Sequence, residues 1–265
     1  MVKLCNILYN IFRYYLKMKW IGVVMKNLAL LTGKDEYVLQ SKKYDRIDAL
    51  LALSLYLVMI FLFVLIGKIF VYRSYALTET YKFCVTGIIS FISLGLVFLL
   101  CYIRKQNIKT IGFSRTFIIK SFSMGMTLFL LIVIFKGVIP IISGSKFQTD
   151  HKDIVMWVIY YLVFIALMEE VVMRGYVGTR LYGYFTNKRL SIFVVGVMFS
   201  LYHIPFQIVI NKISLVEYIS LNWANLIIYF IFHLLFQWLY SQYNSIVAPT
   251  LFHFIWDFIK WFIIR

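Results

Sequence analysis

Seven long runs of apolar residues occupy most of this chain, and they limit what it can fold into more than any other feature. A transmembrane helix requires about 20 consecutive, predominantly apolar residues. The runs lie near residues 48–71, 81–103, 118–143, 154–173, 190–210, 222–240 and 246–264. Because a segment surrounded by lipid must satisfy its own backbone hydrogen bonds, these runs predict an all-α, polytopic transmembrane helical bundle of about seven to eight spans.

The composition excludes the main alternatives to a membrane protein. Hydrophobic residues make up 62% of the chain and charged residues 14%, whereas soluble domains have about 45–50% and about 25%. The net charge of +16 does not indicate nucleic-acid binding, because no basic groove with interleaved aromatic residues lies outside the apolar runs. Basic loops next to a bilayer instead predict contact with anionic membrane lipids.

Residues 1–46 form a separate N-terminal region, and residues 47–265 form one membrane-embedded domain. Between Leu4 and Tyr15, apolar residues recur at helical spacing among basic residues. This pattern predicts a basic amphipathic helix that lies in the membrane interface. The stretch Trp20–Leu31 could instead be a short eighth membrane segment, although Lys26 interrupts it.

Basic residues are concentrated in alternate loops, which predicts the orientation of the chain. The richer loops carry Lys34, Lys42, Lys43 and Arg46, then Arg104, Lys105, Lys109 and Arg115, then Arg180, Lys188 and Arg189. Cytoplasmic loops carry such an excess of Lys and Arg. We therefore expect a multi-pass protein of the cell membrane with a cytoplasmic N-terminus and, for seven spans, an external C-terminus.

A few ionisable residues lie inside the apolar runs, where a charge is costly and is by default a candidate for function. Among the acidic residues and histidines, those deep inside the runs are Glu169, Glu170, His203, His233, His253 and Asp257, and Arg174 directly follows the fourth run. The alternative is that such residues only pair with one another and hold helices together. We expect that simple role for His233, and for Glu170 with Arg174, which lie four residues apart and share a helix face.

Glu169 lies about 100° around the helix from Glu170 and can point elsewhere. Counting residues along the helices places Glu169, His203 and His253 at similar depths, in the half of the bilayer nearer the basic loops. We therefore predict a polar site that opens toward the cytoplasm. A carboxylate with two imidazoles can take a proton from water and stabilise a developing oxyanion.

Three short motifs occur in order within these helices. Glu169–Gly175 has the pattern EExxxRG, Phe199–His203 has the pattern FxxxH, and His253–Asp257 has the pattern HxxxD. With the turn at Ser245–Pro249 that precedes the last motif, this part of the chain resembles the CAAX protease and bacteriocin-processing family, also called CPBP or Abi. The resemblance covers about the last 110 residues.

The resemblance implies an intramembrane glutamate-type endopeptidase that acts on a membrane-associated or secreted peptide, without a metal or other cofactor. Glu169 and His203 would activate water, and His253 with Asp257 would hold the oxyanion. The supporting residues would be Glu170, Arg174 and Phe199. The biological role would be maturation of a bacteriocin or signal peptide, or self-immunity. The alternative is a non-proteolytic membrane protein that serves immunity or acts as a scaffold.

Asp257 departs from the pattern of the prenyl-processing members, which have asparagine at this place. Two roles remain open for the aspartate. It could be protonated and donate a hydrogen bond as an asparagine amide does, or it could be ionised and orient the ring of His253. The first role predicts that Asp257→Asn is tolerated, and the second predicts a loss of activity.

Overall fold

The computed structural model describes residues 33–73, 78–147 and 151–264. Nearly all of them are helical, which confirms the predicted all-α bundle. The helices are α1 (Asp35–Ser41), α2 (Arg46–Tyr72), α3 (Glu79–Ile103), α4 (Ile118–Ile142), α5 (Ile154–Tyr184), α6 (Lys188–Tyr202), α7 (Ile204–Asn211), α8 (Leu215–Tyr243) and α9 (Val247–Phe262). A 3₁₀ turn (Ile108–Ile111) and two strands of two residues each, β1 (Lys146–Phe147) and β2 (Ile263–Ile264), complete the described elements.

Several of the long helices begin directly after a polar residue that caps their first turn. The side chains of Asp45, Thr78, Asn187 and Ser214 each accept a hydrogen bond from a backbone N–H in the first turn of the following helix. Such caps satisfy N–H groups that have no partner within the helix. Asp45 and Asp48 form a reciprocal capping box at the start of α2.

Within the described residues, six helical segments are long and apolar enough to cross a membrane, with α6 and α7 counted as one, so the chain is a multi-pass membrane protein. The seventh expected span is α9, which has only 16 residues, a length of about 24 Å. It nevertheless runs the full height of the bundle beside α4. Its start is tied to the α3–α4 connection by Ile246 N–H donating to Gly112 O, and β2 at its end pairs with β1, which follows α4.

The predicted interfacial helix and the possible eighth segment, Trp20–Leu31, lie outside the described residues. The described part of the N-terminal region contains α1, which packs on the bundle through Tyr37. This side chain is buried between Tyr182 and Tyr240, and its hydroxyl accepts a hydrogen bond from Gln237 Nε2 at 3.0 Å.

The connections gather at two ends of the bundle. The α1–α2, α3–α4, α5–α6 and α8–α9 connections share one end, which we call the basic end because it holds the basic loops noted above. Side-chain hydrogen bonds join these connections: Gln40 donates to Thr110 O and accepts from Asn244, and Arg104 pairs with Asp45 at 2.9 Å. The end of α2, the start of α3, the α7–α8 connection and β2 lie at the other end, called the far end below.

Helix α5 runs through the centre of the bundle, and both its helix type and its burial change along its length. Glu169 and Glu170 lie between two π-helical stretches, Tyr160–Leu167 and Val171–Gly178. Every residue from Met168 to Tyr182 is buried, whereas most residues between Ile154 and Leu167 are partly exposed. π-Helical stretches are rare and occur frequently at functional sites.

Candidate active site

The two neighbouring glutamates of α5 point in different directions, as their spacing predicts. Glu170 is completely buried, and its Oε1 accepts hydrogen bonds from Arg174 Nη1 at 3.1 Å and His253 Nδ1 at 3.0 Å. Glu169 is 7% exposed and lines a cavity. No described residue donates a hydrogen bond to Glu169 Oε2. Glu170 is therefore committed to packing contacts, and Glu169 remains open to a reactant.

The buried Arg174 is held by charge and by two aromatic rings. Its guanidinium carbon lies 3.9 Å from the ring centre of Phe199 and 4.8 Å from that of Phe236. A guanidinium over an aromatic face is attracted by the ring's quadrupole, more strongly where water is absent. Three helices, α5, α6 and α8, thus meet at one ion pair.

His253 is surrounded by carboxylates. Its Nδ1 bonds Glu170, its Nε2 lies 3.3 Å from Asp257 Oδ2, and the same Nε2 lies 3.9 Å from Glu169 Oε2. The ring also stacks on Phe236, with centres 5.1 Å apart. Since ionised carboxylates only accept hydrogen bonds, this arrangement is best satisfied when both ring nitrogens carry hydrogen.

Asp257 has a second partner that the motif does not include. Lys260 Nζ donates to Asp257 Oδ1 at 3.0 Å, while Asp257 Oδ2 faces His253. Both carboxylate oxygens therefore face donors. Of the two roles left open by the sequence, this geometry favours an ionised aspartate that orients His253.

His203 occupies a break between α6 and α7. Pro205 lies in the first turn of α7 and has no N–H to continue the α6 ladder. The backbone N–H of His203 turns to Ser200 O, and the carbonyl of Phe199 accepts from the side chain of His203 instead, at 2.8 Å from Nδ1. Because a carbonyl oxygen only accepts, Nδ1 carries the hydrogen, and in the neutral ring Nε2 has a free lone pair.

The ring of His203 is fixed in place from one side by α8. It stacks on Tyr229 with ring centres 4.0 Å apart and planes 13° apart. A stacked ring, together with the Nδ1 hydrogen bond, leaves little rotational freedom. His203 is therefore held with one nitrogen available for a reactant.

Glu169 and His203 line the same cavity, of about 140 Å³. The other lining residues are Phe63, Ile66 and Phe70 of α2, Thr86 of α3, Tyr160 and Ile165 of α5, and Phe206 and Gln207 of α7. These residues come from the far-end halves of their helices. These lining residues do not reach the basic loops, and the opening toward the cytoplasm stays a prediction.

The remaining embedded histidine lies apart from this cluster. His233 is fully buried, and its Nε2 lies 3.1 Å from Ile192 O, in a packing position against Phe199. Among the described residues, no group of three or more His, Cys, Asp or Glu side chains is arranged to hold a metal ion.

Three contact residues of the site were not identified from the sequence. Tyr229 and Phe236 come from α8, which carries no motif, and only helix packing brings them to His203 and His253. Lys260 lies three residues after Asp257, and this helical spacing could have identified it.

Comparison with known proteins agrees with the motifs. Residues 151–259 match the family described as type II CAAX prenyl endopeptidase Rce1-like. The matched segment includes all three motifs and extends from the start of α5 into α9. No curated protein and no solved structure matches the chain. The segment 151–259 is thus similar to the Rce1-like CAAX protease family, which confirms the resemblance seen in the motifs.

Proposed function

We propose that this protein is an intramembrane endopeptidase that hydrolyses a membrane-associated peptide with Glu169 as the catalytic carboxylate. The observation that carries the proposal is the shared cavity of Glu169 and His203, which come from different helices. No described residue donates a hydrogen bond to Glu169 Oε2. The match of residues 151–259 to a family of peptide hydrolases supports the same reaction.

The geometry supports a general-base mechanism. A water molecule in the cavity gives a proton to the carboxylate of Glu169 while its oxygen attacks the carbonyl carbon of the peptide bond. Nε2 of His203 accepts a hydrogen bond from the water and helps to align it. When the tetrahedral intermediate collapses, Glu169 returns the proton to the leaving nitrogen, and the carbon–nitrogen bond breaks.

We assign His253 to positioning rather than to binding the oxyanion. Both of its ring nitrogens face carboxylates, so neither N–H is free to bind a substrate oxygen. Its cationic form would lie beside Glu169 and hold that carboxylate in place across 3.9 Å. This assignment replaces the role that the family resemblance implies for His253.

The test is cleavage by purified protein in liposomes. An internally quenched peptide with a prenylated CAAX end and the same peptide without the prenyl group serve as substrates. We expect Glu169→Gln to lower the rate by about 10⁴-fold or more, because a general base and its electrostatic support are lost together. Glu217→Gln, on the exposed first turn of α8, is the matched control. Full activity of Glu169→Gln would exclude this mechanism.

A non-proteolytic role in immunity or as a scaffold is the second candidate. The observation that favours it is the fully buried network of Glu170, Arg174 and His253, which connects helices without needing a reaction. A Glu169→Gln protein that protects cells from a bacteriocin but cleaves nothing would support it. We propose maturation of a bacteriocin or signal peptide, or self-immunity, as the biological setting of the enzyme.

A further inference from the structure

Helix α4 carries a lysine inside its apolar run. Lys136 is partly buried, and it lies in a π-helical stretch of α4 that extends from Val133 to Val138. Pro140, four residues after Lys136, has no N–H to continue the regular helix ladder. A charge inside a transmembrane helix is costly and is by default a candidate for function.

The amine of Lys136 turns toward α9, where it approaches a second lysine. Lys136 Nζ lies 2.9 Å from the ring centre of Trp256, and Lys260 Nζ lies 5.7 Å from the same centre. Among the described carboxylates, none forms an ion pair with Lys136. Asp257 already accepts from Lys260 and faces His253 with its other oxygen. The two amines therefore leave positive charge in excess at this place.

Both lysines line one pocket of about 380 Å³, called the lysine pocket below. Its remaining lining residues are Phe135, Pro140, Ile259 and Ile263. Small-molecule sites have volumes of roughly 300–1,000 Å³, so this pocket can hold a small polar group. Exposed apolar side chains of α4, among them Phe135, Ile139 and Ile142, continue beside the pocket. An exposed apolar surface of this kind is typical of a membrane contact.

From these contacts we infer that the lysine pocket binds the phosphate group of an anionic phospholipid, whose acyl chains lie along the exposed apolar side of α4. Basic pockets between transmembrane helices bind anionic headgroups. Lysine binds phosphate as a point charge, and its three N–H donors allow Lys260 to keep Asp257 while it contacts a phosphate. The exposed apolar surface of α4 favours a lipid over a soluble anion. This site lies outside the cavity of Glu169 and goes beyond the proposed function.

Lipid titration followed by native mass spectrometry tests the inference on the purified protein in detergent. The probes are a short-chain phosphatidylglycerol, a phosphatidylcholine with the same chains, and glycerol phosphate, which has no chains. We expect one phosphatidylglycerol to bind the wild type, with a Kd at least about tenfold lower than that of phosphatidylcholine. Glycerol phosphate at the same concentration should not displace it, because it lacks the contact with α4.

Charge-neutralising variants locate the bound lipid. Lys136→Gln should raise the Kd for phosphatidylglycerol by at least about tenfold, because a hydrogen bond to a charged group is lost. Lys136→Arg should stay within about threefold of the wild type, since arginine also binds phosphate. Lys260→Gln, which should show a similar loss, provides a second test if Lys136→Gln does not fold. Lys68→Gln is the matched control, because Lys68 is exposed near the end of α2 and outside the pocket.

Several results would overturn the inference. Unchanged affinity of Lys136→Gln for phosphatidylglycerol would exclude this pocket, and an equal loss in Lys68→Gln would indicate only general attraction between charges. Equal binding of phosphatidylcholine would exclude recognition of an anion. Displacement by glycerol phosphate, or by an acidic peptide at the same concentration, would replace the lipid by a soluble occupant.

The binding measurement needs no substrate. The same affinities are expected in a Glu169→Gln background, so failure of the proposed hydrolysis would leave the result unchanged. Phosphatidylglycerol should also raise the melting temperature of the wild type and of Lys136→Arg, because a ligand that binds the folded state stabilises it. An equal rise in Lys136→Gln would contradict the assignment of the pocket.

Discussion

At the scale of single residues, the three carboxylates of the candidate site differ in their neighbours. Glu170 Oε1 accepts from Arg174 and His253, and Asp257 is bound to Lys260, whereas Glu169 is the carboxylate that lines the cavity. We therefore expect three similar functional groups to have different roles. The structure contains the Glu170–Arg174 pair that the spacing predicts, and the catalytic roles stay predictions.

Glu170→Gln should lower the stability of the folded protein more than it lowers the rate of peptide cleavage. The substitution removes the charge that neutralises the buried Arg174, and breaking a buried ion pair costs about 3–5 kcal/mol. We expect about 3 kcal/mol, at the lower end, because the amide oxygen still accepts a hydrogen bond. Thermal unfolding in detergent measures the change, with Glu79→Gln as the control from an exposed pair. Unchanged stability would mean that the pair is not needed for packing.

Lys260→Met and Asp257→Asn test whether Asp257 acts as an anion. If Lys260 acts through Asp257, each single change should lower cleavage by roughly tenfold or more, and the double change should add little to Asp257→Asn, since coupled residues are not additive. The pH dependence of cleavage is recorded for all four proteins. Normal cleavage by Asp257→Asn would restore the alternative in which a protonated aspartate donates a hydrogen bond.

At the scale of elements, irregular helices position the candidate site residues. At the break between α6 and α7, the carbonyl of Phe199 accepts from the side chain of His203, and the π-helical stretches flank the two glutamates. Helix α8 adds the rings that stack on both histidines. Regular helices with the same motifs would not fix His203 in this way.

Pro205→Ala should make α6 and α7 more continuous and reduce activity. Alanine supplies the missing N–H and removes the ring that clashes with the preceding turn. The backbone N–H of His203 can then compete for the Phe199 carbonyl, which releases Nδ1. We expect unchanged or higher thermal stability with cleavage reduced at least about tenfold. Wild-type cleavage would show that the break is not required.

Gly175 permits a close approach between α5 and the 3₁₀ turn. A Cβ at this position would lie 2.6 Å from the carbonyl oxygen of Ile111, a backbone atom that cannot move aside cheaply. Gly175→Ala should therefore destabilise the protein by about 1–3 kcal/mol. Gly95→Ala is the control, because nothing lies within 4 Å of its added Cβ, and it should be neutral or stabilising. Equal thermal unfolding of the two variants would contradict this packing.

At the scale of the whole molecule, hydrogen bonds and ion pairs at the basic end connect loops that are far apart in sequence. Arg104 bonds both Asp45 and the buried Asp48, and Arg180 donates to Gln106 and to Thr110. These contacts close the bundle beneath the buried half of α5, from Met168 to Tyr182. At the far end, from which the cavity is lined, β1 pairs with β2.

The stability of the protein should depend on pH through the charge of Asp45 at the basic end. The backbone N–H of Asp48, and next to it the charge of Arg104, hold the pKa of Asp45 below its usual value. A carboxyl group with a depressed pKa in the folded state stabilises the protein above its unfolded pKa, and this contribution is lost as the pH falls through the folded pKa. Asp45→Ala should therefore melt at a lower temperature than wild type near neutral pH.

The difference in melting temperature between wild type and Asp45→Ala should shrink as the pH is lowered below the ordinary range of an aspartate. Asp35→Ala, at an exposed position in the first turn of α1, serves as the control. A difference that stays constant with pH would mean that the Asp45 charge plays no part.

The sequence by itself determined the features that depend on neighbouring residues. Apolar runs specify membrane helices because backbone groups in lipid must be satisfied within each segment. The spacings of four residues placed Glu170 with Arg174, and His253 with Asp257, because helical geometry is local. The similarity of residues 151–259 to a CAAX protease family was also evident from three motifs.

Only the tertiary structure decided which helices surround these motifs and which halves of those helices line the cavity. Tyr229 and Phe236 reach the histidines through packing between α8 and its neighbours, which no local spacing encodes. The cavity is lined from the far-end halves of α2, α3, α5 and α7, whereas the residues of α5 from Val171 to Tyr182 are buried against surrounding helices. Contacts between residues far apart in sequence depend on how whole helices fit together, so residue counting along single helices could not identify them.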